Sequence, residues 1–392
     1  MSAPTASGLD DVVVASTALS HVDGLRGQLV IHGYGVEALS RRARFEEVCA
    51  LLWNGVWPSP NETEQVREGL GDARAAAFAM LPSLGNALST PDSMEGLRAA
   101  IGHIQSTGKL TERLRLTGAV PVFTAAWQRR RTNQPPVAPR PDLSHAADTL
   151  RMLSGNDAAP ARVTALDAYW NCVVDHGMNA STFTARIVTS TGSDSVSAVV
   201  AALGALKGPL HGGAPGPVLD MLDAIGTAGA ARAWLENELA VGRRLMGMGH
   251  RIYRVRDPRA AALERATRTL EASGVSGGRL PLARAVEREA EQLLAERYPR
   301  RQLRANVEFY TAVLLDALEI SRSVFTPMFA ASRVAGWCAH IDEQRAVGRL
   351  VRPASTYVGP WPSEVDAGRA FASQGLDARG VVSGNRRTRD LR

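Results

Sequence analysis

Along most of the 392-residue chain, apolar residues recur at three- and four-residue steps, the spacing of helices that bury one face. In 163–175 they are Val163, Leu166, Trp170 and Val173. The same period runs through Phe45, Val48, Leu51 and Leu52, and through 196–206 and 307–320. Segment 281–297 keeps the helical period but is heavily charged, which predicts a surface helix. Strand-like segments are confined to the start: Val12–Ser16 and Gln28–His32 are read as strands of a small hairpin across the Asp23-Gly24 turn. The predicted class is mainly α. Three stretches interrupt the helices: the proline-rich Thr132–Pro141, the glycine- and proline-packed Gly208–Pro217, read as a constrained loop with no helix in it, and Ser273–Gly278. From about Ala378 the chain is polar and basic, and the expectation there is a frayed tail.

Hydrophobic residues at 45% and charged residues at 21% are ordinary globular proportions, which excludes intrinsic disorder, a collagen-like repeat and a disulfide-framed miniprotein. No apolar run approaches the ~18 residues of a membrane helix, and the first residues lack the basic start and apolar stretch of a signal peptide. A soluble, cytoplasmic chain without a membrane partner is expected. Cys49, Cys172 and Cys338 are far apart among apolar neighbours, so buried thiols are expected rather than a disulfide or a zinc pair. The net charge is +6, and Lys109 and Lys207 are the only lysines. Richness in Ala and Gly assigns the arginine surplus mainly to compositional bias, so position matters more than number. Arg129–Arg131 and Arg386-Arg387 are short and lack interleaved aromatics, which argues against a nucleic-acid partner.

Two formal motifs fail on context. Gly33-Tyr-Gly-Val-Glu-Ala38 fits the dinucleotide pattern, but twenty positions on, where a strand should end in an acidic residue, the chain reads Trp57-Pro58-Ser59-Pro60. Gly274–Gly278 fits a nucleophile-elbow pattern yet lies in a loop between two helices. The eight histidines offer no closely spaced pair, and nothing argues for a metal site.

Three histidines do occupy glycine-rich or broken sequence: His176 in DHGMNAST, His211 in LKGPLHGGA and His250 in MGMGHRIYR. Glycines around a histidine let backbone or ligand approach closely. Taken singly, each reads more simply as a hydrogen-bonded structural residue; three such sites in one chain shift the balance toward chemistry. In Asn306-Val-Glu-Phe-Tyr310 the asparagine is a natural N-cap, which puts Glu308 in a first helical turn where the dipole favours an ionised carboxylate, available as a base. An ordinary first-turn acidic residue is the plainer alternative. Among the arginines, Arg259 closes RIYRVRDPR, Arg352 precedes Pro353, and Arg333 sits on the otherwise apolar segment Met328–Trp337, where an unpaired guanidinium is rare.

With these residues in place, the chain resembles the citrate synthase family. The resemblance runs from about Gly8 to about Pro360 and is carried by VDGLRG, FEEV, DHGMNASTF, LKGPLHGGA, MGMGHRIYRVRDPR, NVEFYTAVLL, FTPMFAASRVAGWCAHI and RLVRP, in that order. It implies a nearly all-α homodimer. Each subunit would have a large domain, 1–214 with 322–392, and a small domain, 215–321, closing over the substrates. It also implies the acetyl-CoA-consuming step of the tricarboxylic acid cycle: acetyl-CoA, oxaloacetate and water give citrate and CoA through citryl-CoA, with acetyl-CoA as co-substrate and no bound cofactor or metal. Carried over by motif, Glu308 would be the base, His211 would stabilise the enol or enolate, and His250 would polarise the ketone and protonate the alkoxide. His176, Arg259 and Arg333 would hold oxaloacetate, with Arg352 contributed across the dimer interface, and Arg254 and Arg304 would meet the CoA phosphates.

Two positions depart from the family pattern. Glu308 stands where the family usually has aspartate, lengthening the base by one methylene, and a displacement of about 1 Å can cost roughly a hundredfold in rate. Pro215 stands where the family typically has asparagine, removing an amide donor from the loop after His211. The resemblance leaves two alternatives open: a 2-methylcitrate synthase using propionyl-CoA, and a non-catalytic CoA-binding paralogue. With no extra domain expected before the family match, NADH-type allosteric inhibition is not expected either.

Overall fold

In a computed structural model, the protein is described at Leu9 and at residues 12–109, 111–212, 215–274 and 278–359. Fifteen α-helices dominate the described residues, with three short strands, in agreement with the mainly α class. The chain divides into two units, 1–350 and 351–392; in the second, 351–359 have no regular secondary structure. The tail from Ala378 and the Arg386-Arg387 pair lie outside the described residues.

The N-terminal sheet corrects one expectation. Its strands are β1 (Ser20–Asp23), β2 (Gln28–Ile31) and β3 (Tyr34–Gly35), in antiparallel order β1-β2-β3, with Asp23 opposite Gln28. The turn at Asp23-Gly24 is where the sequence put it, but Val12–Ser16 is not its first strand. Val12 and Val13 are 46% and 87% exposed and have no face to cover. The strand that pairs is Ser-His-Val-Asp, whose polar residues hid it. The GxGxxA segment spans the β2–β3 hairpin and the start of helix α1 (Val36–Arg42), an antiparallel setting that no dinucleotide site uses.

The helices that follow are α2 (Phe45–Asn54), α3 (Pro60–Ala79), α4 (Ser93–Ile101), α5 (Glu112–Arg131), α6 (His145–Ser154), α7 (Pro160–Val173), α8 (Ala180–Ser190) and α9 (Ser195–Leu206). After them come α10 (Pro215–Ile225), α11 (Ala231–Ala240), α12 (Pro258–Ala272), α13 (Leu280–Arg297), α14 (Val307–Ala317) and α15 (Phe325–Val347). Helices α5 and α15 are buried nearly all round and pack on each other, so neither shows a single apolar stripe. Helix α13 is amphipathic rather than purely superficial: Ala283, Val286, Ala290 and Leu294 are buried, Glu287 and Glu291 pair with Arg256 and Arg304, and Arg288 and Arg297 are exposed. The three cysteines are buried and unpaired.

A second correction concerns Gly208–Pro217, read as helix-free. Helix α10 begins at Pro215 and includes Pro217. Proline is excluded from helix interiors, but the first-turn amides have no helical acceptor, so proline costs nothing there.

Candidate active site

Five chain segments meet at the site: the turn at His176, the loop at His211, the stretch from Gly247 to Arg259, the start of α14 and the middle of α15. Helix α7 stops at Val173, the chain turns through 174–178, and Asn179 caps α8 by accepting from the Thr182 amide at 3.1 Å. His176 lies in that turn. Its Nε2 is 3.2 Å from the Tyr253 hydroxyl, and its ring meets His250 edge-on at 5.6 Å between centroids.

The loop carrying His250 is stitched to the start of α14. The Gly249 amide donates to the Arg304 carbonyl at 2.7 Å, the Asn306 amide to the Gly247 carbonyl at 2.9 Å, and Asn306 Nδ2 to the Gly249 carbonyl at 2.8 Å. Gly247 takes φ +73 with Phe309 so close that an added Cβ would come within 2.8 Å of it. Here the glycines make room for the Phe309 and Leu303 side chains. Asn306 is the predicted N-cap and accepts from the Glu308 amide at 3.0 Å, which fixes Glu308 in the first turn.

Electrostatics follow from burial. Backbone amides of Ile252 and Tyr253 donate to His250 Nδ1 at 3.0 and 3.2 Å, so a neutral His250 carries its proton on Nε2. Arg259 Nη2 stands 3.5 Å from that nitrogen; both carry N–H groups, so they are neighbours without a hydrogen bond between them. Burial, reinforced by Arg259, brings His250 down to about 4, and burial with Arg333 does the same for His211. His176 is held well below the ordinary histidine value by burial, then by Arg259, His250 and Arg333. All three are neutral at pH 7. Glu308 goes the other way, pushed up to about 7, chiefly by burial against the opposing pull of Arg259. The first-turn dipole was expected to keep this carboxylate ionised; desolvation outweighs it, and near pH 7 about half the population is protonated.

The arginines differ sharply. Arg259 is gripped by Asp257, Nε to Oδ1 at 3.0 Å and Nη2 to Oδ2 at 2.7 Å; Asp257 also caps α12. Arg333, 1% exposed, donates Nε to the Val173 carbonyl at 2.6 Å and lies over the Phe329 ring at 4.6 Å. Its two Nη groups have no protein partner among the described residues, and neither is sealed from solvent. His211 Nε2 is 2.8 Å from Ser181 Oγ, which also receives Trp337 Nε1 at 3.3 Å.

The structure thus groups His176, His250, Arg259, Glu308, Arg333 and His211. Arg254 is exposed, donating one Nη to the Arg251 carbonyl at 3.1 Å. Arg304 is paired with Glu291 at 2.6 Å. Arg352 is exposed and belongs to the second unit. Sequence reasoning missed Tyr253, Asp257 and Ser181. Asp257 had a signal, an Asp-Pro pair at a helix start, whereas Tyr253 and Ser181 gave none. Among the described residues, no three His, Cys, Asp or Glu are placed to hold a metal. A surface cavity of about 510 Å³, lined by Leu81, Leu88, Arg130 and Gln134 among others, shares no residue with this group.

Comparison with known proteins adds the lineage. A family model described as "Citrate synthase, C-terminal domain" matches residues 8–354. "Citrate synthase 2" of Bacillus subtilis is 35% identical over 364 residues, covering 90% of this chain and 95% of that protein. The crystal structure of citrate synthase from Thermotoga maritima superposes with a TM-score of 0.80 at 32% identity, over 91% of this chain and 97% of that one. A citrate synthase from Thermoplasma acidophilum, solved as a ternary complex with carboxymethyl coenzyme A and oxaloacetate, also gives 0.80, at 27% identity over 91% of this chain and 97% of that one.

Proposed function

The chain belongs to the citrate synthase family, and on that premise we propose how its own residues condense acetyl-CoA with oxaloacetate and water to citrate and CoA. Ionised Glu308 takes a proton from the acetyl methyl group. His211 donates Nδ1–H in a hydrogen bond to the thioester oxygen, stabilising the enolate; in that tautomer the single Ser181 hydroxyl proton, which in the free site goes to Asn179 Oδ1 at 2.8 Å, turns to His211 Nε2. The enolate carbon attacks the oxaloacetate ketone carbon while His250 Nε2–H polarises the ketone and protonates the alkoxide. The Arg259 guanidinium beside Nε2 stabilises the charge left on the ring. Water then cleaves the citryl-CoA thioester. No step calls for a metal or prosthetic group.

The observation that carries this reading is Arg333: a buried guanidinium with unfilled donors, beside Arg259 and two neutral histidines, is a receptor for a dianion. Arg333, Arg259 and His176 hold the oxaloacetate carboxylates, and Arg352 completes them from the second subunit of a homodimer. Arg254 is the freer donor for CoA phosphates, since Arg304 would first have to leave Glu291. Residues 215–321 form the small domain that closes over both substrates. No helix among the described residues is long and apolar enough to cross a membrane, and we place the enzyme in the cytoplasm.

The test is CoA-thiol release with oxaloacetate and either acetyl-CoA or propionyl-CoA. One methylene in an apolar pocket discriminates by only about 1–3 kcal/mol, so both thioesters are needed to name the preferred product. Turnover with acetyl-CoA that disappears in Glu308→Ala and His250→Ala supports the assignment. A folded protein inert with both thioesters is a paralogue without the reaction. Co-expression of Arg352→Ala with Glu308→Ala subunits addresses the shared site. Mixed dimers would regain one intact site each, about a quarter of wild-type activity, and no regain would remove Arg352 from its partner's cleft.

A further inference from the structure

Behind the dicarboxylate receptor lies a buried polar chain to which the reaction assigns no role. Three α15 residues at helical spacing, Arg333, Gly336 and His340, grip consecutive residues of the 173–177 turn. Arg333 Nε donates to the Val173 carbonyl at 2.6 Å. Gly336 faces Val174 so closely that an added Cβ would lie 2.2 Å from the Val174 carbonyl oxygen. His340 Nε2 lies 3.2 Å from both oxygens of the Asp175 carboxylate. The next residue along the turn is His176.

The direction of each hydrogen bond is fixed. Arg186 Nη1 donates to His340 Nδ1 at 2.8 Å, so the imidazole proton sits on Nε2 and is donated to Asp175. Arg186 is itself held by Glu343 at 2.5 Å and by Gln344 Oε1 at 3.1 Å. On the far side of Asp175, Ser20 Oγ donates to Oδ2 at 2.5 Å and accepts from the Gly177 amide at 2.9 Å. Asp175 and His340 are both 0% exposed. Burial alone would raise the Asp175 carboxyl, but His340, Ser20 and Arg333 together keep it below its ordinary value. It is therefore an anion placed behind a guanidinium that has no carboxylate partner of its own.

We infer that the Asp175–His340 pair is a positioning element for substrate binding, locking the 173–177 turn onto α15 so that His176 and Arg333 address one dicarboxylate. The inference rests on the proposed oxaloacetate site. It assigns the pair neither contact with substrate nor any proton transfer.

The test compares wild type, His340→Ala, His340→Gln and Ser20→Ala by oxaloacetate calorimetry and steady-state kinetics. In His340→Ala the oxaloacetate Kd and KM should rise about tenfold, the scale of one lost hydrogen bond to a charged group, while kcat and the acetyl-CoA KM stay within about twofold. His340→Gln, whose Nε2 amide can still donate to Asp175, should recover most of the affinity. Ser20→Ala should weaken oxaloacetate binding in the same selective way by a smaller factor, and it decides the matter if His340→Ala does not fold. A folded variant that binds oxaloacetate as wild type does, or one that loses kcat with affinity intact, overturns the inference. Wild type that binds oxaloacetate without releasing CoA would defeat the proposed reaction and leave this comparison readable; wild type that binds none defeats both.

Discussion

Arg74 and Arg333 share a side chain and a depth, at 0% and 1% exposure, yet their surroundings are opposite. Arg74, on α3, donates Nε to Asp148 at 2.7 Å, Nη1 to His145 Nδ1 at 3.0 Å and Nη2 to the Leu143 carbonyl at 3.0 Å, fastening α3 to α6 and the loop before it. Arg333 has one carbonyl and an aromatic face. Burial lowers both guanidiniums below the ordinary arginine value, Arg333 to about 10, and near Arg74 a bonded carboxylate opposes that cost. Around Arg333 the cost is opposed only at a distance, by the charges of Asp175, Tyr169 and Glu308, with no carboxylate bonded to it. A folded chain retains such a deficit where a ligand fills it, so the number of unfilled donors, rather than burial or charge, separates the site from the structural cluster.

The comparison is easiest to break at the site's base. Glu308→Ala should lower kcat by about 10²–10⁴-fold, the range for a general base, while thermal denaturation stays at or above the wild-type midpoint. A modest kinetic loss would move the base elsewhere. Arg74→Ala should do the reverse: removing one partner of a buried ion pair costs about 3–5 kcal/mol, so urea unfolding shifts strongly while kcat/KM of the surviving folded enzyme is unchanged. Arg333→Met is the sharper contrast, because it strands one partner, the Val173 carbonyl, and no carboxylate. Oxaloacetate affinity should fall about a hundredfold, the value of a charged hydrogen-bonded pair, while the denaturation midpoint falls far less than in Arg74→Ala, by the loss of one carbonyl hydrogen bond. If Arg333→Met unfolds the protein as Arg74→Ala does, the distinction between the two clusters fails.

What could be read from the sequence follows the same division. The helices were legible where large apolar residues keep the helical period, in α9, which buries one face, and in α2 and α7, which are buried more nearly all round; the Asn306 cap was legible because capping is local chemistry. Strand β1 was not, since an edge strand of polar residues has no alternation to detect. At the site, His176, His250 and Glu308 stood out through unusual neighbours in sequence. The groups that orient them, Ser181 for His211 and the Asp175–His340 pair, arrive from 30 and 165 residues away and leave no local trace. The raised Glu308 value was missed for a related reason: a dipole is set by one helix, whereas desolvation is set by everything packed around it.

A single-methylene change at the base tests whether the chain has adapted to its longer side chain. If the backbone is built around glutamate, Glu308→Asp withdraws the carboxylate from the methyl group and lowers kcat by about a hundredfold; a rise would mean that the adaptation is absent. The pH profile then identifies which group titrates. Glu308 is active when ionised and lies at about 7, while His211 and His250 lie at about 4 and remain neutral throughout. The kcat/KM of the free enzyme should therefore fall tenfold per unit below about pH 7 with a single-proton slope. Stability carries the opposite sign. Above its unfolded value near 4.5, Glu308 is protonated in the folded chain and ionised in the unfolded one, so rising pH favours unfolding until the folded group also ionises near 7. Glu308→Gln lacks that titration, so its denaturation midpoint should draw ahead of wild type between about pH 4.5 and 7 and hold a constant lead above. A constant difference across that window would leave the acidic limb of the activity profile without its titrating group.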